Sequence, residues 1–138
     1  VLHGYHSDET VTVAVASINE RQQRLYEVVL AAHDMAIEAI KPGASCRAVD
    51  AVARNHIREQ GFGDYFGHGL GHGVGLDIHE KPVLSPRSET VLAEGMVCTV
   101  EPGIYIPGFG GVRIEDTVAV TADGCRLLTR VPKRLRIV

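Results

Sequence analysis

Cysteine is scarce in this chain. Cys46, Cys98 and Cys125 stand far apart, odd in number and without a Cys-x-x-Cys pair. That pattern excludes a disulfide framework and a zinc ribbon, and makes a reducing, cytoplasmic setting the expectation. Cys98 lies three residues before Glu101, so strand alternation turns it away from that carboxylate and toward a packing role. An excess of either charge is also lacking: 14 basic against 17 acidic residues leave a net charge of -3. Neither nucleic acid nor an anionic membrane is indicated as a partner. Long hydrophobic runs are missing as well. Stretches such as Val28 to Ala32 are far too short to span a bilayer, and the polar opening from His3 to Thr10 is not a signal peptide. The one local excess of base, Arg126, Arg130, Lys133, Arg134 and Arg136, reads as a solvated terminal segment without a function.

Several catalytic and binding motifs are absent. The glycines at 67, 69, 71, 73 and 75 recur at every second residue, so they never complete Gly-x-Gly-x-x-Gly, and no Walker lysine follows them. There is no His-Glu-x-x-His and no Gly-x-Ser-x-Gly. A nucleotide-binding loop and a serine hydrolase are therefore disfavoured.

What is present suffices for one domain. A chain of 138 residues with 45% hydrophobic and 22% charged content has the length and balance to bury one core. Thr10 to Val15 alternates polar with β-branched residues and predicts a strand, with Asp8, Thr10 and Thr12 sharing its polar face. From Glu20, Leu25, Val28, Val29, Ala32, Ala36 and Ala39 recur at helical spacing until Lys41-Pro42-Gly43 breaks the run. Ser45 can cap a second helix with the stripe Val49, Val52, Ala53 and Ile57, closed by Gly61. His33 and His56 fall inside these helices and read as ordinary surface or core histidines. Further strands are predicted near Tyr65 to His72, Met96 to Glu101, Gly111 to Thr121 and Leu127 to Val131. Helices segregated from strands imply an α+β fold, with two helices on one face of a mainly antiparallel sheet.

The chemistry concentrates in His68-Gly-Leu-Gly-His72-Gly-Val-Gly-Leu-Asp-Ile-His79-Glu80 and in two short acidic strands, Thr99-Val-Glu101-Pro and Gly111-Val-Arg-Ile-Glu115-Asp116. Glycines threaded between histidines suggest backbone brought close to something small and polar. Imidazole nitrogen with carboxylate oxygen is the ligand set of a catalytic divalent transition metal, with carboxylates to bridge ions and histidine to anchor one. Arg113 shares a strand face with Glu115. Taken singly, Asp8, Glu101 and Glu115 each read better as a solvated acid or half of a salt bridge. Taken together with the histidine segment they favour one converging site.

These segments closely resemble the metallopeptidases of the prolidase and aminopeptidase P group, which share the pita-bread fold with methionine aminopeptidase. Val100-Glu101-Pro-Gly-Ile-Tyr105 and Gly4-Tyr5-His6-Ser7-Asp8-Glu9-Thr10 extend the likeness over almost the whole chain. The motif spacing looks more like the proline-directed branch than methionine aminopeptidase. The resemblance implies Asp8 and Glu115 as carboxylates bridging two metals, with His72 and Glu101 completing the coordination of one ion. It implies His68 and His79 as non-ligand histidines lining the substrate site, and Arg113 as a partner steadying Glu115. The implied activity is hydrolysis of an Xaa-Pro bond in a peptide or dipeptide by a metal-activated water. Glu101 would take the water's proton, with His79 and His68 at the substrate. Manganese is the implied ion, with cobalt, zinc or iron as alternatives.

The likeness departs at its edges. The family's further metal-binding aspartate would fall before Val1, and Val11 stands where the family often carries arginine. Residues 1–138 are thus expected to be the C-terminal part of a catalytic domain, holding one well-formed and one weak metal position. They are also expected to dimerise through an uncovered edge. Two rival readings are a non-catalytic pita-bread protein that binds peptides or partners, and a metal-independent hydrolase of the creatinase kind.

Overall fold

The computed structural model describes residues 1–138. Helix α1 (Glu20–Ala39) opens on a capping box: Asn19 Oδ1 accepts from the Gln22 amide while Gln22 Oε1 accepts from the Asn19 amide, each at 2.9 Å. It stops where Lys41-Pro42 forbids another turn. Helix α2 (Cys46–Glu59) begins at Ser45, whose hydroxyl accepts from the Ala48 amide, and ends before Gly61, which takes φ +86°. Both helices sit where the spacing predicts them.

The helices bury one face each. Leu25, Val28, Val29, Ala32 and Ala36 of α1 and Val49, Ala53 and Ile57 of α2 join Leu70, Leu84, Cys98, Val100, Ile104, Ile114, Val118 and Val120 in one hydrophobic core. Each large aliphatic side chain buried in this way contributes about 1.5–3 kcal/mol. The core therefore lies between the helices and the sheet.

The strands are β1 (Gly71–Gly73), β2 (Glu80–Leu84), β3 (Val97–Val100), β4 (Gly103–Ile106), β5 (Gly110–Arg113), β6 (Asp116–Val120) and β7 (Cys125–Leu127). Five of them form an antiparallel sheet in the order β2-β1-β3-β6-β7, and β4 and β5 make a separate hairpin. The α+β expectation of two helices on an antiparallel sheet holds. No helix is long and apolar enough to cross a membrane.

Four strand expectations need correction, one of them Leu127 to Val131, of which only Leu127 lies in a strand, the end of β7. Thr10 to Val15 is no strand and pairs only through isolated bridges, Thr10 with Glu115 and Ala14 with Ile137. The Thr12 hydroxyl takes the place of a ladder there, donating to the Arg113 carbonyl at 2.9 Å and accepting from the Arg113 amide at 3.1 Å. Gly111 to Thr121 is two strands in different sheets, because the chain breaks at Ile114-Glu115 and the next three residues, Asp116 to Val118, are all buried. Tyr65 to His72 keeps only its last two residues in β1, and a 3₁₀ turn (Gly63–Tyr65) precedes it. Strands β2 and β4, each carrying a turn-type residue, Pro82 and Gly103, went unrecognised.

Candidate metal centre

Strand β1 lies between β2 and β3 so closely that side chains are excluded on one face. A Cβ on Gly71 would come within 1.9 Å of the Thr99 carbonyl oxygen, and one on Gly73 within 2.2 Å of the Lys81 carbonyl oxygen. The glycines thus bring backbone close to neighbouring strands, not to a small ligand as their threading suggested. Strand alternation turns His72, between them, to the other face. Its Nδ1 faces the Gly73 carbonyl at 3.0 Å, and a carbonyl only accepts. A proton on Nδ1 satisfies that carbonyl and leaves Nε2 as the nitrogen a cation would take.

That nitrogen faces acids. His72 Nε2 is 3.1 Å from Glu101 Oε1 and 3.7 Å from Asp8 Oδ2. One ligand atom each from Asp8, His72 and Glu115 lie within 4.8 Å of one another. Glu101, at the end of β3, joins them through His72 and is aimed by Thr99, whose hydroxyl donates to Glu101 Oε1 at 3.1 Å and accepts from the His72 amide at 3.0 Å. Glu115, in the break between β5 and β6, donates its amide to the Thr10 carbonyl at 2.9 Å and accepts from the Thr10 hydroxyl. The four donors predicted from the sequence are brought together.

Electrostatics in this cluster are strained. Burial pushes the Glu115 carboxyl above its usual range, and the charges of Glu101 and Asp8 push it further, against the Thr10 hydrogen bond and the Arg113 charge. Arg113 does not pair with Glu115 directly; its Nε donates to the Thr10 hydroxyl at 3.3 Å, which in turn holds Glu115. Burial works to lower the Arg113 pKa, but Tyr105, Glu115 and Glu101 outweigh it and leave it raised.

The other two histidines flank the cluster. His79 packs edge-on against His72, ring centroids 4.3 Å apart. His68 sets Nε2 3.2 Å from the Tyr105 hydroxyl and packs edge-on against Phe66. An open hollow of about 330 Å³ is lined by His68, His72, His79, Glu101 and Arg113 among others. A larger one of about 600 Å³, beside Tyr5, Met96 and Leu128, holds none of these groups. Donor chemistry, not size, marks the smaller hollow as the site.

Several supports lie outside the residues that the sequence motifs mark. Thr10 orients Glu115, Tyr105 meets His68, and a bidentate Arg54–Asp50 pair in α2 holds the loop before β1. Arg54 donates to the carbonyls of Phe66 and His68 at 3.0 and 2.7 Å, while Asp50 accepts from the Leu70 amide at 3.0 Å. The i, i+4 spacing of Asp50 and Arg54 was the available signal. His33 and His56 stay outside the cluster. Cys98 is fully buried with its thiol pushed up to about 12, chiefly by burial, as suits a packing residue.

A divalent transition metal suits this donor set. Asp8, Glu101 and Glu115 have no lysine or arginine within ion-pair distance, and His72 is the one basic group that meets Asp8 and Glu101. Three crowded carboxylates and an imidazole lone pair are what a cation would relieve.

Comparison with known proteins agrees with this geometry. The sequence profile of metallopeptidase family M24 matches residues 1–122. The Xaa-Pro dipeptidase of Pyrococcus furiosus is 56% identical over 131 residues, covering 95% of this chain and 38% of that protein. The prolidase of Pyrococcus horikoshii OT3 superposes with a TM-score of 0.94 at 53% identity, over 95% of this chain and 38% of that one. Methionine aminopeptidase of Rickettsia prowazekii superposes less well, with a TM-score of 0.81 at 26% identity over 94% and 60% of the two chains. The chain thus spans about two fifths of the length of the dipeptidases it matches, and its fold is that of part of the pita-bread architecture. With the family profile covering most of its length, the chain belongs to metallopeptidase family M24.

Proposed function

We propose that this chain carries the metal-binding part of a metal-dependent peptidase that hydrolyses the bond before proline in Xaa-Pro dipeptides or peptides. The convergence of Asp8, Glu101 and Glu115 on His72 Nε2 carries the reading. Relatives named Xaa-Pro dipeptidase at about half identity support the substrate class. Asp8, His72, Glu101 and Glu115 would hold the metal, and a bound divalent ion supplies the charge that lowers the pKa of a coordinated water toward neutrality. Manganese is our proposal, with cobalt, zinc and iron as competitors for the same mixed ligand set. The residues present make one complete position, and a second would have only Asp8 and Glu115.

The protein groups then divide the work. Glu101, aimed by Thr99, takes the proton of the attacking water. His79, exposed beside His72, donates to the scissile carbonyl oxygen as it gains charge. His68 and Tyr105 orient the peptide, and Arg113 steadies Glu115 through Thr10. Calorimetric titration of the chain with manganese tests the site. Saturable binding that disappears in Glu115→Ala supports it, and an Xaa-Pro dipeptide assay of the longer protein then tests the substrate. Binding unaffected by Glu115→Ala would overturn the ligand assignment. The rival, a non-catalytic peptide- or partner-binding protein, is disfavoured by the intact donor set.

Two further features complete the proposal. Three free cysteines, two of them buried, suit a reducing cytoplasmic setting. The exposed apolar side chains of Val11, Val13, Val15 and Ile137 suit self-association into a homodimer, and a concentration-independent monomer in light scattering would count against it.

A further inference from the structure

The terminal basic segment is solvated at Arg126, Arg130, Arg134 and Arg136, as its sequence suggested, but Lys133 is not. Its side chain is only 11% exposed, with Nζ 2.6 Å from Glu9 Oε1 and 3.0 Å from Asp116 Oδ1. Both partners occupy a telling position. Glu9 follows Asp8 directly, and Asp116 follows Glu115 directly. In each dipeptide, Asp8-Glu9 and Glu115-Asp116, the first acid meets the His72 side and the second meets the rear side, where one lysine joins them.

Other contacts tighten the same strap. The Val131 amide donates to Glu9 Oε1 at 2.8 Å, and the Thr129 hydroxyl donates to Asp116 Oδ1 at 2.5 Å. The Thr117 hydroxyl donates to the Asp8 carbonyl at 2.7 Å. His33 Nε2 of helix α1 approaches the far Asp116 oxygen at 3.2 Å. Segment 129–133 thus grips the two acidic dipeptides from behind.

The arrangement answers an electrostatic problem. Asp8, Glu9, Glu115 and Asp116 place four carboxylates on two adjacent extended segments, and like charges so close repel. Residues 8 and 9 belong to no strand, and the Thr10–Glu115 bridge is their nearest ladder contact. Lys133 is the one lysine or arginine within ion-pair distance of either rear acid. Its single charge offsets part of theirs and ties the two segments together.

We propose that Lys133 is a positioning residue of the metal centre, clamping Glu9 to Asp116 so that Asp8 and Glu115 are held at the spacing a shared cation requires. This rests on the reading of Asp8 and Glu115 as metal ligands. The effect is transmitted through backbone, since Lys133 contacts no donor atom of the site itself.

The test is calorimetric titration with manganese of the unaltered chain, Lys133→Met and Lys133→Arg, alongside melting of each metal-free protein. The expected result is manganese affinity about tenfold or more weaker in Lys133→Met, the scale on which supports of metal ligands act, with substantial recovery in Lys133→Arg. Lower metal-free melting with unchanged affinity would assign Lys133 to fold stability alone and overturn the proposal. If Lys133→Met does not fold, Glu9→Gln keeps the shape and removes one clamped charge; weakened affinity supports the clamp and unchanged affinity overturns it. An unaltered chain that binds no manganese overturns the metal-site reading itself, and the clamp with it, a result distinct from a variant that binds as well as its parent.

Discussion

Glu115 is the residue at which stability and the proposed metal binding oppose each other most directly. It is 2% exposed and crowded by Asp8 and Glu101, and its carboxyl is held above the usual range chiefly by burial. A raised acid disfavours its own charged form in the fold, so the resulting cost is present at neutral pH and disappears as pH falls below the ordinary carboxylate range. Glu115→Gln should therefore melt at the same or a higher temperature than the unaltered chain at pH 7 without metal, with the advantage fading toward pH 4. The same variant should lose the stabilisation that manganese confers. Scanning calorimetry at both pH values, with and without the ion, checks the pair of outcomes, and a metal-free melting temperature lowered at pH 7 would refute the first. Asp8, His72, Glu101 and Glu115, which the fold brings together, stood out in the sequence through the resemblance of their segments to the prolidase group, not one by one. Thr10 and Lys133 did not, since a threonine or a terminal lysine declares its partner only after residues more than a hundred positions apart have been brought together.

At the scale of elements, helix α2 does more than cover the sheet. Asp50 is fully buried and meets Arg54 bidentately, and Arg54 also stacks over Phe66 and holds the carbonyls of Phe66 and His68. The helix thereby dictates where the chain enters β1. Arg54→Leu would leave Asp50 buried with only the Leu70 amide as partner, at a cost of about 3 kcal/mol or more. Equilibrium unfolding in urea should show that loss, whereas a change below about 1 kcal/mol would mean the loop holds itself. Gly71→Ala makes a second case, because the added methyl meets the Thr99 carbonyl and must separate β1 from β3. Manganese binding should fall with it, as His72 and Glu101 are tied through Thr99. The helices were readable from 3.6-residue periodicity and caps, which are local signals. The strands were less so, for β1 has three residues, and at Glu115 the polar run Glu115-Asp116-Thr117 is buried by its partners and hides the break between β5 and β6.

For the whole molecule, the decisive feature is that the candidate ligands come from distant parts of the chain. Asp8 lies near its start, His72 in β1, Glu101 after β3 and Glu115 before β6, so a cation bound to all four closes long loops that only the folded state can close. Anything that binds the folded chain alone stabilises it by mass action, by ~2.7 kcal/mol at a free concentration a hundred times the dissociation constant. For a chain of this length that corresponds to a rise in melting temperature on the order of 10 °C. Manganese in that excess should raise the melting temperature of this chain by that order, and removal by a chelator should reverse it. Asp8→Asn should diminish the shift. If, as proposed, His72 and Glu101 complete one position and the other has only the two shared carboxylates, the titration should saturate near one equivalent, with any further binding much weaker. Two equivalents of equal affinity would mean that donors beyond these four complete a second position, and a shift of under about 2 °C at that excess would mean that Asp8 and Glu115 do not share an ion.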